Sequence, residues 1–101
     1  MKECCKTYLT DQFGDEDVVN EIYGEYVSSI EEKLAEAVGQ LESAEWDALD
    51  KTAHAMKGNA LAAGDNDMAD CAIALRREAK LQNVAPAADL LARMKDLQAQ
   101  L

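Results

Sequence analysis

Apolar residues return every three or four positions between Val18 and Leu41: Val18, Val19, Ile22, Tyr23, Tyr26, Ile30, Leu34, Ala37, Val38 and Leu41, with Glu and Lys at most positions between. That spacing lays them along one face of an α-helix, so the pattern predicts a long amphipathic helix ending around Gln40 to Glu42. Gly24 and Gly39 lower its intrinsic propensity, and packing of so wide a face outweighs them. Ahead of it, residues 2–11 are expected to form a short helix with Leu9 and either Tyr8 or Cys5 turned inward, capping one end of a bundle. Gly14 breaks that segment and Asp15 is placed to cap the long helix, with Glu16 and Asp17 set favourably against its dipole.

Ser43 can cap the next helix, which begins near Glu45 and runs until Gly64 stops it. Its apolar stripe is Trp46, Leu49, Ala53, Met56, Ala60 and Ala63, and Trp46 is expected to plug the bundle at the helix start. Asp65-Asn66-Asp67 lacks the alternating ligands and distal Glu of a calcium loop and reads as a turn with an N-cap. Met68, Cys71, Ala72, Leu75 and Ala79 then form the inner face of a further helix. Leu81 to Ala85 reads as a linker, with Pro86 at or near the first turn of a last helix whose seam is Leu90, Met94, Leu97 and Leu101. Each helix needs a neighbour to cover its apolar face. The expected fold is all-α: an antiparallel up-and-down four-helix bundle with a short additional N-terminal helix. Residues 1–101 then form a single domain, with 1–14 as the N-terminal cap segment and 15–101 as the bundle. If all apolar faces close within one bundle, the protein is a monomer.

A chain of 101 residues that is 49% hydrophobic and 30% charged has room for one small core and is too apolar for disorder. Its net charge of -10 argues against nucleic acid and against anionic membranes, which reward Lys and Arg clusters. Met1-Lys2-Glu3-Cys4-Cys5 lacks the apolar run of a signal peptide, and no stretch approaches the ~20 apolar residues of a membrane span. The expected location is the cytoplasm. Three cysteines without C-x-x-C spacing fit reduced thiols: Cys71 in the core, and one of Cys4 and Cys5 inward with the other near the surface. The one histidine has no ligand-spaced companion, so no metal site is expected.

That histidine, His54, falls one step round the helix from the apolar stripe and is expected to face outward or to stand at the core edge. One turn before it lie Asp50 and Lys51; one turn after it lie Lys57 and Gly58. Gly58 costs about 1 kcal/mol relative to Ala in a helix interior. A residue without a side chain lets another molecule approach the imidazole, and a lysine can neutralise anionic charge there. The combination suits an imidazole that acts as nucleophile and temporary phosphoryl carrier. Asp50 could orient the ring through its other nitrogen or be a solvated surface carboxylate.

His54-Ala55-Met56-Lys57-Gly58, followed by Gly64, resembles the H-x-(apolar)-K-G motif with downstream glycine of histidine-containing phosphotransfer (HPt) domains. Phe13-Gly14-Asp15-Glu16-Asp17 resembles that family's lead into its first long helix, and Glu45-Trp46-Asp47-Ala48-Leu49 its lead into the histidine helix. Met68-Ala69-Asp70-Cys71 and Leu75 resemble the apolar pattern after the second glycine, so the likeness spans nearly all of the chain from about Tyr8. The departures are Asn59 where many members have Ser or Ala, the acidic turn at 65–67, and Arg76-Arg77 where an acidic residue is common. They leave the histidine chemistry alone and bear on the choice of partner.

The resemblance implies a phosphorelay: an aspartyl phosphate on a receiver domain, or a sensor or hybrid histidine kinase, phosphorylates His54, which passes the group to a response-regulator aspartate. Lys57 would stabilise the phosphoryl oxygens, Gly58 would give access, and Lys51, Leu61 and Asp50 would meet the partner. No cofactor is expected on this chain, because the partner receiver carries the acidic pocket and its Mg2+. The protein is then a carrier and not an enzyme by itself. Two other readings stand beside this one: a helical docking module that binds receivers or kinases without being phosphorylated, and an inert bundle with a surface histidine.

Overall fold

Helix α2 spans Glu16–Glu42, and the cap that starts it is the one its sequence prescribes. The Asp15 carboxylate accepts from the backbone N–H groups of Asp17 at 2.9 Å and Val18 at 3.3 Å, so two of the unpaired amides of the first turn are satisfied. At about 1.5 Å per residue a helix of 27 residues is about 40 Å long. That accounts for the 42 Å long dimension of the molecule. Val19, Tyr23, Tyr26, Ile30, Leu34 and Ala37 are its buried residues. Val18 falls off that face and is exposed.

The computed structural model describes residues 1–101 and is helical throughout, with no strand. The remaining helices are α1 (Glu3–Phe13), α3 (Trp46–Ala63), α4 (Asn66–Leu81) and α5 (Val84–Ala99). In the helical bundle α2 packs on α3 and α5, and α4 packs on the same two, so the four long helices close a ring of contacts. A single hydrophobic cluster runs through all five helices, with Cys5 and Leu9 as the contribution of α1. Ala53, Ala60, Ala63, Ala69, Ala72 and Ala79 are buried. Such small side chains let helices approach closely, and α3 with α4 is the most extensive pairing. No helix is long and apolar enough to cross a membrane.

Gly64 ends α3 in the left-handed conformation, φ 75 and ψ 18, where its N–H reaches back to the last turn. A Cβ at this position would stand 2.6 Å from Cγ of Tyr8, so the glycine also lets α1 lie down on α3. Tyr8 is therefore the exposed partner of that contact, and Cys5 and Leu9 are the residues α1 turns inward. Cys4 is exposed and Cys71 buried, all three thiols being free.

Two junctions differ from the sequence reading. Ser43 does not cap α3: it closes α2, its N–H bonded to Gly39 O at 3.0 Å. The chain then turns through Ala44 at φ 54, and α3 starts after Glu45 without a side-chain cap. The linker from Leu81 to Ala85 shrinks to Gln82-Asn83, because Gln82 itself adopts the left-handed cap of α4 and Asn83 leads directly into α5. Pro86 sits in the first turn of α5, where its missing N–H leaves no broken bond. The inner face of α5 is Ala87, Leu91, Met94 and Leu97, with Leu90 and Leu101 partly buried at its border. Met94 and Leu97 of the expected seam are buried, Leu90 and Leu101 flank the core, and Leu91 and Ala87 complete the face on its other side.

Candidate functional site

On α3, Leu49, Thr52, Ala53, Met56 and Ala60 are buried, and this fixes the direction of everything between them. His54 follows Ala53 and is exposed, as its place beside the stripe requires. Gly58 stands one turn further along the same face. A Cβ added there would meet nothing within 4 Å, so no packing inside the molecule calls for a glycine. The same holds for Gly24 and Gly39 on α2. Gly58 differs from them in standing next to the imidazole. Leu61 continues the face and is 48% exposed. It lines a groove between α3 and α1 together with Tyr8, Thr7 and Asn66. Lys51 is exposed in the turn before His54.

The opposite flank of His54 belongs to α4, where Arg76 follows the buried Leu75 as His54 follows Ala53. The Arg76 guanidinium spans the two helices: Nε donates to Oδ1 of Asp50 at 2.9 Å, and Nη1 lies 3.0 Å from Nδ1 of His54. Arginine carries donors only, so Nδ1 is the acceptor of that bond. Asp50 thus meets the ring through Arg76 and not directly. Lys57, half-buried, lines a second groove with Ile73, Arg76, Arg77, Lys80 and Leu81. Four cations therefore border one groove in a chain whose net charge is -10. Arg76 is the residue that the expected site lacked. It comes from 22 positions away, and only the register of α4 against α3 brings it to the ring.

A second polar cluster lies at the α1 end. Asp65, expected to be a turn residue and N-cap, accepts from Met68 N–H at 3.5 Å as a cap does, yet it is fully buried. Its carboxylate also accepts from Lys2 Nζ at 2.7 Å and from the Tyr26 hydroxyl at 2.7 Å. The Tyr26 hydroxyl is thus tied to a buried carboxylate and not left to water. Tyr23 OH accepts from the Lys2 backbone N–H at 3.2 Å. Burial and the bond to Asp65 push the Tyr26 phenol well above its usual range. Burial, then the Asp65 charge, push the Cys5 thiol up to about 12. Burial alone would lower the Lys2 ammonium, but its bond to Asp65 and the carboxylate charge outweigh that and raise it.

Ligand atoms of Cys4, Cys5 and Asp65 lie within 4.8 Å of one another, close enough to hold a cation. The charge that a metal would neutralise is already paired with Lys2, and a thiol that resists ionisation is a poor ligand. The polar cluster at Asp65 ties the α1 end of the chain to the bundle.

No protein of curated function and no solved structure matches the chain. The family model for the Hpt domain matches residues 21–101, which includes His54, Lys57, Gly58 and Arg76. With its helical bundle and its outward-facing histidine, the chain belongs to the Hpt domain family, the histidine phosphotransfer domains of phosphorelays.

Proposed function

We propose that His54 accepts a phosphoryl group from a receiver-domain aspartate, or from a sensor or hybrid kinase, and passes it to the aspartate of a response regulator. One observation carries the reading. An exposed imidazole has an open glycine face on one side and, on the other, a groove bordered by Lys57, Arg76, Arg77 and Lys80.

In the transfer an imidazole nitrogen attacks phosphorus, the P–O bond to the donor aspartate breaks, and the carboxylate leaves as an N–P bond forms. Lys57 offsets the charge of the phosphoryl oxygens. Gly58 lets the partner's acidic pocket close over the ring, and Lys51 and Leu61 meet the partner along the same face. Asp50 acts through Arg76. Magnesium and the acceptor carboxylate belong to the partner, so the chain is a carrier in the cytoplasm, acting as a monomer. The scaffold for this is an antiparallel up-and-down four-helix bundle capped by α1. Its support is the ring of contacts α2–α3–α4–α5 and connections as short as residues 43–45, 64–65 and 82–83, which favour antiparallel neighbours.

The docking-only reading has one observation on its side, the guanidinium standing on Nδ1 of His54. A single experiment separates the two. Wild type and His54→Gln are incubated with receiver domains phosphorylated on aspartate, with magnesium present. Acid-labile, base-stable phosphate on wild type alone is the expected result. Binding of phosphorylated receivers without label on either protein supports docking, and label on His54→Gln refutes the assignment of the residue.

A further inference from the structure

A neutral imidazole has one protonated nitrogen and one with a free lone pair, and only the second can attack phosphorus. At His54 the lone pair that the structure accounts for is on Nδ1, where it accepts the Arg76 Nη1 hydrogen at 3.0 Å. In the neutral ring the proton then resides on Nε2. One nitrogen is covered and the other is protonated, so the resting ring has no nucleophile to offer.

The guanidinium is held from its other side as well. Its Nε is fixed to Asp50 Oδ1 at 2.9 Å, with the two side chains only 27% and 24% exposed. Asp50 is one turn before His54 on α3, and Arg76 is on α4. The pair therefore braces the ring from both helices, and the other cations nearby, Lys57, Arg77 and Lys80, lie along the same groove without an assigned contact to the ring.

We propose that Arg76 is a positioning residue that locks His54 in the Nε2–H tautomer and so gates phosphoryl transfer in both directions. The inference rests on His54 being the phosphoacceptor. For uptake, the guanidinium leaves Nδ1, water removes the Nε2 proton and supplies one to Nδ1, and the freed Nε2 lone pair attacks phosphorus. The P–O bond of the donor breaks and its carboxylate leaves. The product is a ring with phosphate on Nε2 and a proton on Nδ1, hence an imidazolium. When Arg76 returns to Nδ1, it favours loss of that proton to water. The neutral phosphoimidazole left behind is a poorer phosphoryl donor than the imidazolium, so the same contact that slows loading also prolongs the loaded state. An approaching phosphoryl group opens the lock, because its anionic oxygens are stronger acceptors for a guanidinium than a neutral ring nitrogen.

The test compares wild type with Arg76→Met, Arg76→Lys, Arg76→Glu and Asp50→Asn. Imidazole 15N shifts, read on unphosphorylated protein with the ring neutral, give the tautomer ratio, and potassium phosphoramidate serves as phosphoryl donor so that no cognate partner is needed. Wild type is expected almost wholly as Nε2–H. Loss of one hydrogen bond in Arg76→Met raises the Nδ1–H share about five-fold. Arg76→Lys, which keeps a donor, restores the wild-type ratio. Arg76→Glu accepts from the ring and makes Nδ1–H the main form, and Asp50→Asn, which frees the guanidinium, falls between wild type and Arg76→Met. Labelling rates rise and phosphohistidine lifetimes shorten in the order of the Nδ1–H share. A tautomer ratio unchanged in Arg76→Met and Arg76→Glu overturns the lock. So does a shifted ratio with labelling rate and lifetime unchanged. Equal label on wild type and His54→Gln overturns the carrier reading instead, and leaves the tautomer measurement standing by itself.

Discussion

Asp65→Asn changes almost no volume and should still cost the fold several kcal/mol. Three donors converge on this buried carboxylate: Lys2 Nζ and Met68 N–H on Oδ1, and the Tyr26 hydroxyl on Oδ2. An amide offers one oxygen and one NH2 group, so at least one donor meets another donor. If the oxygen stays toward Lys2 and Met68, the Tyr26 hydroxyl has to turn its proton into the core. A hydrogen bond to a charged acceptor contributes about 1.5–3 kcal/mol, and a buried donor left unmatched costs a comparable amount. The Lys2 share is smaller: its side chain is 15% exposed, so the ammonium can turn toward water and forfeits only about 1 kcal/mol. The net loss is about 2–4 kcal/mol, against a total stability of about 5–15 kcal/mol for a domain. For a chain of this size that lowers Tm by roughly 10–25 °C. Thermal and urea unfolding followed by circular dichroism measure it. Tyr26→Phe and the double variant complete a cycle whose coupling energy should exceed about 1 kcal/mol. Lys2→Met should cost less than either. A loss below about 1 kcal/mol for Asp65→Asn, or a Lys2→Met variant as damaged as it, refutes the account of Asp65 as a tie held mainly through Tyr26.

Gly58→Leu removes a poor helix former from a position where a side chain meets nothing within 4 Å, so the fold should hold or gain up to about 1 kcal/mol. Uptake from a phosphorylated receiver should fall by an order of magnitude or more, with phosphoramidate labelling of His54 unchanged. Equal receiver rates sink the idea that the glycine is there for access. Alkaline pH should loosen the bundle from the α1 end. Unfolded, Cys5 loses its proton around 9.0, Tyr26 around 10.0 and Lys2 around 10.5, whereas the fold raises all three. Above pH 9 the unfolded chain therefore binds fewer protons than the native one, and stability falls as pH rises. It is fully present below that range. Urea midpoints taken under reducing conditions from neutral pH to pH 11 should show the decline, flatter in Tyr26→Phe, and a level curve would count against the buried network.

The helices were legible because burial imposes a period. Tyr23, Tyr26, Ile30 and Leu34 could be read as a face before any contact was known, as could Leu49, Ala53 and Met56, and the outward direction of His54 followed from Ala53 pointing in. Ser43 misled because it has the right chemistry at nearly the right place; the left-handed turn at Ala44 shifts the helix start, and alanine gives no sign of such a turn. On α5 the adjacent Leu90 and Leu91 leave the phase of a short helix undecided, and Ala87, which settles it, carries little hydrophobic signal. Asp65 hid a third way. Its cap role is local and visible, but its bonds reach Tyr26, 39 positions away, and Lys2, 63 positions away. Arg76 is the same case at the site: its type was plain, and its place beside His54 depended on a helix-pair register that no local pattern encodes.

What the sequence could not separate, the fold keeps apart. From His54 to Gly64 is about 15 Å of helix at 1.5 Å per residue, and the buried ties lie beyond that end while Lys57, Arg76, Arg77 and Lys80 border the groove beside the imidazole. A phosphoryl carrier has to leave its reactive group bare, and bare groups contribute little to stability. Lys51 and Arg77, both exposed, can therefore change at small cost to the fold, whereas Asp65, Tyr26 and Gly64 cannot. The separation gives the Asp65→Asn variant a second expected outcome. Below its lowered Tm it should take label from phosphoramidate on His54 as fast as wild type, because nothing in the Asp65 cluster touches the ring, Arg76 or Asp50. A folded Asp65→Asn protein that labels more slowly would mean that the α1 end and the histidine are coupled through α3, and that the fold does not keep stability and chemistry apart.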